Sequence, residues 1–499
     1  MRTPRTVFLA PLTVLVSAGT LLLASACSSS GSAHGGEGSD GGGDATEHGD
    51  GGGTSDGNGT GEGDATHGDG AAGGDGSFDG GPGAHDGSLD APGSEGAPAP
   101  TCDAGAVAAG DRILTLTNDC PGETVVVGVN GGFVQDCASG ACPQGMTCLT
   151  TRNPPGCFWD LPAPACGSPV LAPGASATYV LAAPASGGTK WSGNLYASTG
   201  CAADGSGCKT AQCATSVGGS TVVQACPDGT GPGGPTTLAE FTLSTAGADY
   251  YDVSSINGVN VPIAMGAVGG APDPANPYTC ATAGAVTQAG GLVGCSWSFD
   301  PTMTLGGAAS DESALLRAVT PGGTACSSSA DCSGSDVCGT AVAFGGNTAT
   351  KSCGAQVGWW TADELCAYTG NGLGAPVACG QAVGGQGTND DLYGCAGANA
   401  TSCYGQNAGA TCCGCPQWTS GGAPLAVPPG FACHGTNPSW TSVAEPWAAF
   451  VKNACPTAYS FPFDDATSTF TCESAGTSAT SPNTMGYAIT FCPGGKTGF

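Results

Sequence analysis

Two acidic segments far apart in the chain hold the residues best suited to chemistry. The first begins at Thr237 and reads TLAEFTLSTAGADYYDVSSINGVNVPI, and the second begins at Cys455 and reads CPTAYSFPFDDATSTFTC. Their candidate carboxylates are Glu240, Asp252, Asp464 and Asp465. Only 10% of all residues are charged, so carboxylates set among β-branched and aromatic residues stand out. Such groups can transfer protons or accept hydrogen bonds from a ligand, and the two segments therefore indicate a functional site.

Both segments resemble the thaumatin-like family, and so do the two ends of the region after residue 100. ILTLTNDC (113–120) and TVVVGV (124–129) are similar to the family's opening strands, and YAITFCP (487–493) is similar to its last strand. The resemblance implies a mainly β fold, a thaumatin-like disulfide-rich β-sandwich, here with small Cys-rich loop insertions and few short helices. Dense turn signals and 90 glycines among 499 residues agree with such a fold.

The resemblance also implies an acidic carbohydrate-binding cleft, which the family forms from an arginine, a glutamate and three aspartates. The matching positions in this chain are, in that order, Asn194, Glu240, Asp252, Asn257 and either Asp464 or Asp465. Two of these positions are uncharged, but the amides of Asn194 and Asn257 can hydrogen-bond sugar hydroxyls in both directions. We therefore interpret the site as a cleft that binds a β-glucan-like polysaccharide, and we expect no cofactor.

Other functions stay open beside polysaccharide binding. Some thaumatin-like proteins cleave β-1,3-glucan, so Glu240 as proton donor and Asp252 as its carboxylate partner could form a glycoside hydrolase site. A third alternative is an antimicrobial or protein-binding structural module. Each carboxylate could also have a structural role, because such side chains cap turns and satisfy backbone donors. We rank binding above catalysis.

The first hundred residues form a separate region. Arg2 and Arg5 precede an apolar run that ends at Cys27, so residues 1–26 are predicted to be an export signal. LLASAC resembles a bacterial lipobox, which implies lipidation of Cys27, with ordinary secretion as the alternative. The rest of 27–100 is mostly Gly, Asp, Ser, Ala and Thr, and is predicted to be a disordered tether. We expect an exported protein, lipid-anchored in a bacterial cell envelope at the outer membrane or cell surface.

The cysteines predict a disulfide framework. There are 29, and removing Cys27 leaves an even number, as expected for an exported chain that pairs its thiols. By the resemblance we expect three particular pairs: Cys120 with Cys492, Cys213 with Cys226, and Cys280 with Cys472. Zinc is a competing interpretation of the CCGC run at 412–415, but His434 is the single histidine after residue 100, and we expect no metal site.

The charge balance argues against nucleic acid as a partner. There are 39 acidic and 10 basic residues, a net charge of -29, and a polyanion would be repelled. Neutral polysaccharide fits better. After Cys27 no apolar run is long enough to cross a bilayer, so membrane contact is expected through the lipid alone. We expect a monomer.

Residues 101–499 are predicted to form one thaumatin-like domain, because the family-like segments are spread from one end to the other. Two stretches are longer than a compact member of the family needs, and they are predicted to be insertions. One lies near 130–169 and the other near 267–358. Their short cysteine spacings predict small loops closed by local disulfides, which are either cleft walls or surface elaboration. WTSVAEPWAAFVKN (440–453) is the best longer helix candidate, with Pro446 confining its regular part to the C-terminal half.

Overall fold

A computed structural model describes the chain from residue 108 onward. The residues left undescribed after that point are 109, 138–140, 144, 151–153, 183–190, 213–231, 246, 306–314, 344–345, 370–376, 476 and 478–482. The predicted export signal, lipidated Cys27 and tether, and the predicted pair Cys213–Cys226, lie outside the described residues.

Two β-sheets build the scaffold. The first contains five strands in the order β12 (Thr282–Ala283), β11 (Ile263–Val268), β20 (Gly486–Phe491), β1 (Arg112–Asn118) and β7 (Ser176–Leu181). The second contains six strands in the order β19 (Phe470–Cys472), β10 (Asp249–Ser254), β9 (Leu238–Leu243), β8 (Trp191–Ser198), β2 (Val125–Gly131) and β6 (Val170–Leu171). The prediction of a mainly β, disulfide-rich fold is confirmed.

The hydrophobic core lies between the two sheets. Phe241 on β9 stacks on Trp191 of β8 at a centroid distance of 4.4 Å, and also faces Tyr487 of β20 at 6.3 Å. Tyr487 meets Tyr251 of β10 edge to face at 5.2 Å. Because side chains alternate along a strand, Ala239, Phe241 and Leu243 point into this core and Glu240 points away from it.

A buried ion pair also joins the sheets. Arg112 at the start of β1 lies 3.0 Å from the carboxylate of Asp249 at the start of β10, and donates to the carbonyls of Ser244 and Met485. Tyr487 donates a further hydrogen bond to Asp249 at 2.8 Å. Burial raises the pKa of Asp249, while the Arg112 guanidinium opposes that shift. The pair ties the first strand of the fold to the strand that carries Asp252.

The first and last strands of the described region pair inside the first sheet. β1 runs parallel to β20, with Leu116 opposite Ile489, and antiparallel to β7. Cys120, just after β1, is bonded to Cys492, just after β20. Cys280 is bonded to Cys472 at the end of β19.

The first predicted insertion is a small sheet with its own disulfides. Its strands, in the order β3–β5–β4, are β3 (Phe133–Asp136), β5 (Gly156–Trp159) and β4 (Met146–Leu149). Cys137–Cys148 and Cys142–Cys157 close it locally.

The second predicted insertion begins later than expected. A four-stranded sheet contains β15 (Ala349–Gly354), β14 (Val337–Val342), β13 (Arg317–Val319) and β16 (Gln356–Trp359), in that order. Cys326–Cys338 and Cys332–Cys353 close it. The stretch from 267 to 300 is instead part of the main scaffold, because Tyr278 and Trp297 are among the largest fully buried side chains. The predicted boundary near 267 is therefore corrected to a point after residue 300.

Helices are short and few among the described residues. They are α1 (Ala362–Thr369), α2 (Asn389–Tyr393), α3 (Pro438–Val443), α4 (Glu445–Ala454) and α5 (Asp465–Ser468), with a minimal hairpin of β17 (Thr419–Ser420) and β18 (Ala423–Pro424). The predicted helix over 440–453 is split into α3 and α4 at Ala444, because Pro446 cannot donate a backbone hydrogen bond. None of the described helices has the length and apolar content needed to cross a bilayer.

Disulfides are distributed over the whole described region. Besides the six pairs already named, they are Cys201–Cys208, Cys295–Cys455, Cys366–Cys379, Cys395–Cys413, Cys403–Cys412 and Cys415–Cys433. Disulfides at this density form in oxidising compartments, so the protein is extracytoplasmic.

Candidate functional site

Three of the predicted cleft residues lie side by side on the outer face of the second sheet. In the register of β8, β9 and β10, Asn194 is opposite Glu240, and Glu240 is opposite Asp252. Residues directly opposite in antiparallel strands share a face, with Cβ atoms about 4.5 to 5.5 Å apart. The same register places Asn130 of β2 opposite Asn194. We call Asn130, Asn194, Glu240 and Asp252 the polar row.

Burial sets the protonation of Glu240. Its side chain is 8% exposed and Asp252 is 1% exposed. Burial raises the pKa of Glu240 to about 7, although the neighbouring neutral side chains of Ser254 and Asn194 favour the charged form and limit the rise. The Asn194 amide lies 3.5 Å from the Glu240 Oε1 atom. Near neutral pH this carboxyl group can therefore hold a proton or release it.

Asn194 has an unused acceptor in this row. The residue is 9% exposed, and its buried Oδ1 atom has no hydrogen-bond partner among the described residues. A buried acceptor without a donor costs about 1 to 3 kcal/mol. A ligand hydroxyl that donates to Oδ1 would remove this cost.

A second line of polar side chains borders the polar row. Tyr250 is opposite Thr242 on one side and Thr471 on the other, and Thr242 is opposite Ser192. The hydroxyls of Ser192 and Thr242 are 2.9 Å apart. All four residues are partly exposed, so this line, which we call the hydroxyl row, opens the site to solvent.

Asp465 is linked to the β10 end of the polar row through Tyr459. Tyr459 donates a 2.7 Å hydrogen bond to Asp465, and its hydroxyl is also 2.5 Å from that of Thr469. The backbone of Tyr459 pairs with Ser254, two residues after Asp252, so the Tyr459 side chain lies on the outer face. Burial raises the pKa of Asp465 to about 6, with Tyr459 opposing the shift. Asp465 is partly exposed and remains a candidate ligand-binding residue.

Asp464 does not belong to the cleft, and the prediction for this residue is corrected. Its carboxylate is 0% exposed and lies 2.8 Å from the Lys452 ammonium. Trp418, Ser460 and Thr467 also donate hydrogen bonds to it. These donors occupy both carboxylate oxygens, so Asp464 holds the α4 and α5 segments together rather than contacting a ligand.

Asn257 contacts another carboxyl group, that of Glu364. It follows the end of β10, and its amide donates to Glu364 of α1 at 3.2 Å. Tyr368 and the Gly234 backbone also hydrogen-bond Glu364, and burial raises its pKa. The sequence pairs Thr361 with Glu364 at capping-box spacing, and the Glu364 amide does donate to Thr361 at 3.3 Å. The carboxylate itself faces Asn257, a contact between residues 107 apart.

Sequence reasoning missed Asn130, although a signal exists. Val125, Val127 and Val129 are buried in the core, so the alternate positions Gly128 and Asn130 face outward. Gly128 must be glycine because Tyr196 covers it, and a Cβ atom there would lie 2.2 Å from the Tyr196 ring. What the alternation does not reveal is that β2 pairs with β8.

The described residues hold two groups of three side chains with metal-ligand spacing. They are Cys137, Cys142 and Cys157, and Cys326, Cys332 and Cys353. Every one of these cysteines is in a disulfide, so no thiolate is free to bind a metal there.

Comparison with known proteins agrees with this architecture. The chain is 28% identical over 365 residues to pathogenesis-related thaumatin-like protein 3.5 of Cryptomeria japonica, covering 71% of this chain and 93% of that protein. It is 28% identical to thaumatin-like protein 1 of Arabidopsis thaliana (65% and 74% covered) and 27% identical to a glucan endo-1,3-beta-glucosidase of Prunus avium (61% and 72% covered). The sequence model of the thaumatin family matches residues 160–420 and 425–493. The resemblance to the thaumatin-like family is thus confirmed, and the chain belongs to the thaumatin family.

Proposed function

We propose that this protein binds a β-glucan-like polysaccharide across the polar row and the hydroxyl row. The observation that carries the proposal is the buried Oδ1 atom of Asn194, which lacks a donor in the described structure and sits beside Glu240. A sugar hydroxyl can donate to this atom and accept from a neighbouring group at the same time. The similarity to a glucan endo-1,3-beta-glucosidase supports a glucan as the ligand class.

The surroundings of the row suit a sugar polymer. Tyr250 is partly exposed between two threonines, and its ring offers an apolar surface on which a sugar ring can lie. Ser192, Thr242 and Thr471 add hydroxyls along the same line. The net charge of -29 disfavours nucleic acid and other polyanions.

Hydrolysis of the bound glucan is the second candidate function, and the pKa of Glu240 favours it. A glycoside hydrolase needs one protonated carboxyl group as acid and a second, ionised one, about 5 to 5.5 Å away in retaining enzymes. Glu240, with its pKa raised to about 7, fits the acid, and its cross-strand neighbour Asp252 fits the second group. In this reaction Glu240 would protonate the glycosidic oxygen as its bond to C1 breaks, and Asp252 would attack C1 to form a glycosyl-enzyme. A water molecule that Glu240 deprotonates would then hydrolyse this intermediate.

One experiment tests binding and hydrolysis together. The purified full chain is incubated with insoluble linear β-1,3-glucan, and both the retained protein and the released reducing ends are measured. We expect retention, and a reduction of retention by at least severalfold for Asn194→Ala. Reducing ends that appear with the wild type and disappear with Glu240→Gln would establish hydrolysis. Absence of retention by the wild type would reject the proposed function.

The setting proposed for this activity is the outside of a bacterial cell. We propose that residues 1–26 direct export, that Cys27 carries a lipid and that the tether after it holds a monomeric domain away from an outer membrane or cell surface. The support is the lipobox-like LLASAC sequence and a cysteine count that becomes even once Cys27 is removed.

A further inference from the structure

Asn130 stands at the β2 end of the polar row, and its side-chain amide is available on the outer face. It is partly exposed, and its side chain makes no hydrogen bond to any residue that the structure describes. Its cross-strand neighbour is Asn194, which is 9% exposed and has the unpartnered Oδ1 atom. Two amides therefore lie side by side, one deep and one near the surface, with spare hydrogen-bonding capacity between them.

The backbone around Asn130 keeps this place open. Gly132 is the next position on the same face, and it has no side chain to cover the amide. Gly193, next to Asn194, has a φ of 154°, and a Cβ atom there would lie 2.6 Å from the Asn130 carbonyl oxygen. β2 and β8 therefore approach each other closely. Their backbone pairing holds the amides of Asn130 and Asn194 next to each other.

The chemistry of the row is asymmetric. On the β10 side it ends in the carboxyl groups of Glu240 and Asp252, and on the β2 side it ends in amides. An amide both donates and accepts, which matches a hydroxyl group, whereas a carboxylate only accepts. A ligand carboxylate placed at the amides would face the Asn194 Oδ1 atom without a proton to give, close to the acidic half of the row.

We infer that Asn130 is a specificity-determining residue, which together with Asn194 selects the hydroxyls of an uncharged sugar and rejects a sugar that carries a carboxylate. The inference rests on the proposed function and adds a selectivity, for uncharged over carboxylated sugars, together with the residue that sets it. The inference also gives the orientation of the bound polymer. A polymer that reaches both the amides and the carboxyl groups lies across the strands, from β2 to β10.

The test compares a soluble linear β-1,3-glucan oligosaccharide with its carboxymethylated form, using calorimetry on the full chain. For the wild type we expect binding of the neutral oligosaccharide and at least tenfold weaker binding of the carboxymethylated one. Asn130→Ala should weaken binding of the neutral form about 3- to 10-fold, the loss of one or two hydrogen bonds. Asn130→Lys should improve binding of the carboxymethylated form, and added salt should reverse that gain.

Asn347→Ala is the matched control, because Asn347 is an exposed asparagine between β14 and β15. It should bind both oligosaccharides as the wild type does. If Asn130→Ala and Asn347→Ala bind the neutral form equally well, or if the wild type binds both forms equally well, the inference about Asn130 is wrong and glucan binding stands. If the wild type binds neither form, glucan binding itself is rejected. Unchanged thermal unfolding of each variant shows that the fold is intact.

Discussion

A buried carboxyl group such as Glu240 links folding to pH in a definite direction. Its pKa is about 7 in the folded protein and 4.5 as an ordinary glutamate, so the folded state holds the proton more tightly. Stability contributed by this group is therefore complete below pH 4.5 and is lost as the pH rises through 7. The loss amounts to about 3 kcal/mol, since each pKa unit is worth about 1.4 kcal/mol.

Replacing Glu240 with glutamine should remove this pH dependence. Glutamine keeps an oxygen and an amide in place but does not titrate. Thermal unfolding of Glu240→Gln and wild type should nearly coincide at pH 4.5, and the variant should be the more stable protein at pH 8. Glu473→Gln, at an exposed glutamate, is the control and should follow the wild type. Parallel curves for Glu240→Gln and wild type across this range would contradict the burial argument.

At the scale of elements, the pairing of the first and last strands depends on a disulfide that spans most of the folded chain. Cys120 and Cys492 are 372 residues apart, whereas Cys201 and Cys208 are 7 apart. A longer closed loop removes more entropy from the unfolded chain.

The two disulfides should therefore differ in their contribution to stability. Replacing both Cys120 and Cys492 with serine should lower the free energy of unfolding by about 5 kcal/mol, against about 2.5 kcal/mol for the Cys201 and Cys208 double serine variant. Chemical denaturation of both variants measures the difference. Equal losses would show that the long disulfide stabilises through native contacts and not through loop closure.

The elements that were predictable are those specified by local alternation. LAEFTL and DYYDVS place Glu240 and Asp252 on the outer face, and the family resemblance brings the two strands together. The sequence did not show which of Asp464 and Asp465 is available to a ligand. Asp464 is occupied partly by a hydrogen bond from Trp418, which lies 46 residues before it in the chain. The Glu364 contact with Asn257 and the place of Asn130 were missed for the same reason, since each is set by pairing between distant segments.

At the scale of the whole molecule, the proposed lipid anchor determines where the domain can act. A chain with a net charge of -29 has little electrostatic attraction to anionic membrane surfaces, so only a covalent lipid would keep it there. We expect mass spectrometry of the mature protein to find Cys27 as an acylated N-terminal residue. A mature chain that begins elsewhere and lacks a lipid would identify a freely secreted protein.

The parallel pairing of β1 with β20 also constrains the order of events during biogenesis. β1 lies between β7 and β20 in the first sheet, and Cys120 after β1 is 372 residues away from Cys492 after β20. The sheet cannot be completed until β20 has been translocated, and contacts this distant in sequence form slowly. A nonsense mutation just before β20 would delete an interior strand, and we expect the truncated product to be degraded.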